Sequence, residues 1–161
     1  MNDLDVFLGW HCGPLVAIAN RTALAEWLVH RALGLDPGEH RREGADLAFP
    51  GGMVTLAVRS AAYLQSFQQV HPSPIIFSIE QRTATAYVFC LLAEQNPAQV
   101  NPQELAQWRF WVVPSRRLHA DRQSIGLQPL IRAHGEGMGY EQLLQAVEGL
   151  AQPGSTSSPL N

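Results

Sequence analysis

The run from Thr85 to Leu92 limits this chain more than any other stretch. Ala86-Tyr87-Val88-Phe89-Cys90-Leu91-Leu92 carries no charged or amide side chain, so it lacks the wet face of a half-buried strand. Its aromatic and β-forming content predicts a strand buried on both faces, inside a sheet. Hydrophobic residues make up 46% of the 161, which suits one sizeable core. The expectation is a single domain over residues 1–151 of mixed α/β class. Residues 152–161, rich in Ser, Pro and Gly, have the composition of a disordered tail.

A second constraint lies between Asp46 and Gln69. Val54, Leu56 and Val58 alternate with Thr55, Ala57 and Arg59, which predicts a strand with an apolar face and a polar one. Pro50-Gly51-Gly52 before it is a turn, folding the segment that carries Asp46 back beside the strand. Ser60 has the character of an N-cap, opening a helix through Ala61, Leu64 and Phe67. Upstream, a helix restarting near Leu15 precedes one from Asn20 to Leu33, which has a stripe of Leu24, Trp27, Leu28 and Val29 and a stop at Gly34. Downstream, strands are expected at Ile75–Glu80 and Trp108–Val113, and a short helix over Leu127–Arg132. A helix follows over Tyr140–Leu150, with Leu143, Leu144, Val147 and Leu150 on one face. The glycine-rich segment His134–Gly139 lacks the lysine and the preceding strand of a phosphate loop.

Formal charge is −3 and the sequence pI is about 6.0, so no global positive field recruits nucleic acid. All eleven basic residues are arginine, which leaves no side-chain amine for acid–base work. Ser115-Arg116-Arg117-Leu118, with Arg122 nearby, is the densest basic spot; a solvated loop and a phosphate contact both fit it. Cys12 and Cys90 form neither a zinc pattern nor a disulfide framework, and Cys90 reads as a core residue. No apolar stretch reaches the roughly 18 residues that span a bilayer, so a cytoplasmic protein without a membrane partner is expected. From spacing alone, Glu26 reads as a solvent-facing residue of an amphipathic helix. Asp46 reads either as a turn residue or as an acid aimed at the strand beside it.

Several of these segments share a source. Leu24-Ala25-Glu26-Trp27-Leu28-Val29, Asp46-Leu47, Leu56 to Ser60 followed by Ala61 to Phe67, Tyr87 to Leu92, Trp108 to Pro114 and Gln123-Ser124-Ile125 together resemble the PD-(D/E)XK nuclease superfamily. The likeness is narrower to small bacterial members whose strand reads I-E-V-K-S. It implies a restriction-endonuclease-like core, a central mixed β-sheet flanked by helices, and in an intact relative magnesium-dependent phosphodiester hydrolysis. It directs Glu26 and Asp46 at the metal, puts Ala57 where the second carboxylate stands, and puts Arg59 where the lysine stands.

The implied site is therefore degenerate. Glu26, Asp46, Ala57 and Arg59 are expected to converge on one cleft, with metal binding by Glu26 and Asp46 weak or lost and no cofactor bound. Arg59 keeps a charge for phosphate but cannot deprotonate, and is expected to pair with Asp46 or Glu26. The resulting expectation is a catalytically impaired protein that binds DNA through Arg59, Arg116 and Arg117, or binds a protein partner or a second copy. One alternative is a slow metal-dependent endonuclease using Asp46, Glu26 and a recruited carboxylate such as Glu80. Another is an inactive structural subunit of an oligomer.

Overall fold

A computed structural model describes residues 18–35, 47–48, 54–66, 69–80 and 84–151. The expected lead-in helix near Leu15, the Pro50-Gly51-Gly52 turn, Asp46, Phe67 and the tail lie outside these residues. The elements are α1 (Ile18–Ala32), β1 (Leu47–Ala48), β2 (Thr55–Ala62), β3 (Ile76–Ser78), β4 (Ala86–Leu92), β5 (Trp108–Pro114), β6 (Ser124–Gly126), α2 (Leu127–His134) and α3 (Leu143–Ala151).

β1, β2, β4 and β5 form a mixed four-stranded sheet in that order. β2 runs antiparallel to β1 and parallel to β4, from Leu56 opposite Ala86 to Ala62 opposite Leu92. β4 is antiparallel to β5, from Ala86 opposite Pro114 to Leu92 opposite Trp108. All seven β4 residues are buried, as their apolar run predicts. The outer side of β5 is partly capped: Phe110 and Met138 exchange backbone hydrogen bonds of 2.9 and 2.8 Å.

Alternation along each strand divides the core into two layers. Leu56, Val58, Val88, Cys90, Trp108 and Phe110 pack against Ala25, Leu28 and Val29 of α1 and against Leu143 and Val147 of α3. On the other face, Ala57, Tyr87, Phe89, Trp111 and Val113 are covered by Phe77 and Ile79 of the β3–β6 ribbon and by Leu130 of α2. Indole and phenol tips find acceptors inside: Trp108 Nε1 donates to Pro102 O (2.8 Å), and the Tyr87 hydroxyl lies 3.2 and 3.1 Å from Ile79 O and Glu80 O.

Four expectations change. The helix proposed from Ser60 does not form over the described residues, because β2 continues to Ala62 and Ser60, Ala61 and Ala62 pair with Cys90, Leu91 and Leu92. The parallel ladder offers backbone partners that outweigh a local cap signal. The Ser60 hydroxyl instead meets Thr22 Oγ1 at 3.1 Å, and Arg21 Nε donates to it at 3.4 Å. The turn beyond is held by Gln69, whose Oε1 accepts from Gln65 N (2.8 Å) and whose Nε2 donates to Tyr63 O (3.0 Å). Second, the side of β2 carrying Ala57 is not a polar face: Ala57 is 1% exposed beneath the second layer. Third, Trp27 is 49% exposed and lies near the Arg31 guanidinium, 5.4 Å from ring centroid to Cζ. Fourth, Leu144 faces outward while Leu143 and Val147 are buried.

Two glycines are required by the backbone. Gly34 (φ 66°) ends α1, where Gly34 N donates to Arg31 O (3.1 Å) and Leu35 N to His30 O (3.2 Å), the paired bonds of a Schellman cap. Gly137 (φ 86°) passes over Trp111, where an added Cβ would lie 2.8 Å from two ring atoms. The Trp111 indole is anchored from the same segment, donating to Gly135 O at 2.9 Å, so the glycine-rich stretch His134–Gly139 serves packing. Gly34→Ala, with open space around it, should cost about 1 kcal/mol through backbone strain alone. Gly137→Ala should cost more, by about 1–3 kcal/mol, because the buried ring cannot yield. Urea unfolding midpoints of the two variants check this ordering, and equal midpoints would refute it.

Candidate functional site

Three of the four residues singled out by the nuclease resemblance, Glu26, Ala57 and Arg59, are among the described residues. Arg59 follows Ala57 on the second-layer face of β2. Its guanidinium donates to Val58 O (3.0 Å) and lies over the Tyr87 ring, 5.5 Å from Cζ to centroid. Glu26 rides on α1, which packs on the opposite face. Its charge is felt at Cys90, whose thiol is pushed well above its usual range by burial first and Glu26 second. Among the described residues no carboxylate pairs with Arg59, so its expected partner Glu26 is replaced by a backbone carbonyl and an aromatic face. Asp46 lies outside the described residues.

Positions 57 and 59 supply no oxygen ligand for magnesium. The ion requires near-octahedral oxygen ligands, whereas position 57 offers a buried methyl group and position 59 a cation. Among the described residues, no three of His, Cys, Asp and Glu lie close enough to hold a metal. Glu80, the candidate for a recruited acid, is exposed just beyond β3, where its backbone carbonyl accepts from the Tyr87 hydroxyl (3.1 Å). Arg21, which the sequence reading passed over, is 3% exposed and bonds Ser60 Oγ and Gln65 Oε1 (3.3 Å). Burial lowers its pKa, but a guanidinium stays charged, so it ties α1 to the end of β2.

The concentrated charge lies elsewhere, in a cavity of about 440 Å³ between the ribbon, the Ser115–Arg117 turn and α2. The turn is held from both ends. Ser115 Oγ donates to Ala84 O (2.6 Å) and Ser115 N to Thr85 O (3.0 Å), while Leu118 is buried behind it. This leaves Arg116 and Arg117 exposed, with Arg117 lining the cavity and Arg116 outside it. His119 and Arg122 continue the rim, and Arg132 and His134 come from the last turn of α2. α2 is a short amphipathic helix with Leu130 buried in the second layer; Pro129 sits in its first turn, where its missing N–H costs nothing.

Ile79, Leu118, Ile125, Pro129 and Ala133 supply the cavity's apolar wall. Among the described residues, no aspartate or glutamate lines it. His134 is held below the usual imidazole range by burial first and the Arg117 charge second, so near neutral pH it is mostly uncharged and offers one donor and one acceptor. Three guanidinium groups around one concavity, without a carboxylate among the lining residues, favour an anion.

The sequence reading singled out Arg117 and Arg122 but missed His119, Arg132 and His134. For Arg132 the available signal was the face of the Leu127–Arg132 helix opposite Leu130; His119 and His134 carried none. Arg59 is not among the cavity's lining residues. Among the described residues, no helix is long and apolar enough to cross a membrane.

Comparisons of the chain with protein-family models, with curated proteins and with solved structures find no match.

Proposed function

We propose that this chain is a binding protein of restriction-endonuclease-like ancestry, with a lost hydrolytic centre, that holds phosphate groups of nucleic acid on its arginine-rich side. The observation that carries the binding reading is the rim of Arg117, Arg122 and Arg132 around an open cavity, with no carboxylate among its described lining residues. Arg116, exposed on the same rigid turn as Arg117, extends the positive surface beyond the rim. Guanidinium groups suit phosphate oxygens and carry little base information when they stand on a turn rather than on an element shaped to enter a groove. With a formal charge of −3 overall, attraction is local and the affinity modest.

Ancestry rests on the shared segments around Glu26, Ala57, Tyr87 and Trp108, and the mixed sheet flanked by helices is compatible with it. Loss of hydrolysis rests on Ala57, whose buried methyl cannot hold a metal, and on Arg59, engaged with Tyr87 and Val58 O.

Binding of labelled duplex and single-stranded DNA, followed by anisotropy across a salt series, tests this reading. Affinity should be weak, tolerant of sequence and steeply salt-dependent. Arg116→Gln and Arg117→Gln should each flatten the salt slope by about one unit. Absence of DNA binding even at low ionic strength would overturn it and turn attention to a protein partner or a second copy.

The chain should cleave nothing with magnesium. Ala57→Glu with Arg59→Lys should not create a metal site. The new carboxylate would be buried against Tyr87 and the ribbon, at a cost of about 3 kcal/mol or more without a close partner. Calorimetric magnesium titration and urea unfolding of the double variant check this. A stable variant that binds magnesium would show that the ancestral centre can be restored by side chains alone.

A further inference from the structure

We propose that the cavity between the Ser115–Arg117 turn, the ribbon and α2 binds a nucleoside monophosphate, as a free nucleotide or as the phosphorylated end of a single strand. The inference rests on the phosphate-binding reading above and narrows it from a charged surface to a small ligand seated in the cavity. Size comes first. A concavity of about 440 Å³ falls within the range of small-molecule pockets, whereas the backbone of a duplex is convex and would touch only the rim.

Charge is the second argument. A terminal phosphate carries about −1.5 to −2 near neutral pH, against −1 for an internal diester. Arg117, Arg122 and Arg132 reach the cavity from three separate elements, the Ser115–Arg117 turn, the segment before β6 and α2. That arrangement can surround one dianion better than it can follow a row of single charges. The wall is the third. Ile125 and Pro129 present an apolar surface next to the arginines, which gives a sugar and base something to cover and inorganic phosphate nothing. Ser124 adds a hydroxyl at the β6 side, and His134 adds a donor and an acceptor.

Calorimetry on the full chain, at low salt, with adenosine 5′-monophosphate, adenosine and inorganic phosphate decides the matter. The monophosphate should bind at least tenfold more tightly than either of the others. Arg132→Gln should weaken it at least tenfold. Arg116→Gln, outside the cavity, should leave monophosphate binding within twofold while weakening duplex DNA binding, so that failure of the pocket and failure of the DNA reading are told apart. Circular dichroism should show both variants folded, since Arg132 and Arg116 are exposed.

Hexathymidylate with and without a 5′-phosphate separates the two sources. A gain of tenfold or more from the 5′-phosphate, exceeding the affinity for the free nucleotide, assigns the site to strand ends. The opposite order assigns it to free nucleotides. Adenosine or inorganic phosphate binding as tightly as the monophosphate, no binding of the monophosphate, or indifference to Arg132→Gln would each overturn the proposal.

Discussion

The double burial of β4 governs the rest of this structure. Its side chains leave the sheet on both faces with almost no exposure, and Tyr87, Phe89 and Leu91 on one side are as apolar as Val88, Cys90 and Leu92 on the other. Burying one such side chain is worth roughly 1.5–3 kcal/mol, so losing either cover would remove several such increments from a domain whose net stability is only about 5–15 kcal/mol. Helices α1 and α3 cover one face. The other is reached by the chain between β2 and β4, which contributes β3 to a small ribbon rather than the helix that commonly links parallel strands. The Tyr87 hydroxyl, aimed at Ile79 O and Glu80 O, anchors that ribbon over the strand it covers.

What could be read in the sequence follows from this arrangement. β4, β5, α1 and α3 were visible because an unbroken apolar run or a helical stripe leaves few alternatives. The region after Ser60 was not. Ser60 carries a real N-cap preference, but a cap contributes about 1 kcal/mol, and the ladder to Cys90, Leu91 and Leu92 lies thirty residues away in sequence. Alternation misled at Ala57 for a related reason. It signals an outward face only when one side of the sheet is wet, and alanine between threonine and arginine is equally at home under a second layer. Trp27 erred in the other direction, since its ring can lie outside the core when an arginine one turn away covers part of it.

Charge was legible only where it was local. Arg117 and Arg122 are close in sequence and drew attention as a cluster. Arg132 joins them because it stands opposite Leu130, which α2 buries in the second layer, and His134 joins them from the end of the same helix. No spacing rule links residue 117 to residue 134. The coupling emerges in the fold, where burial first and the Arg117 charge second lower the pKa of the His134 imidazole.

The two regions that carry chemistry therefore depend on different parts of the architecture. Ala57 and Arg59 belong to a strand packed on both faces, where any new polar group must find an internal partner, and Arg59 already has two in Val58 O and Tyr87. The arginine-rimmed cavity is built on the outer side of the covering layer, from exposed side chains whose backbones are fixed by Ser115, Leu118 and Leu130. Substitution at the rim changes charge at little cost in packing, whereas substitution at Ala57 strains the central sheet. The interior of the sheet is filled with alanine, tyrosine and a tethered guanidinium, whereas the arginines of the rim stand on the surface above it.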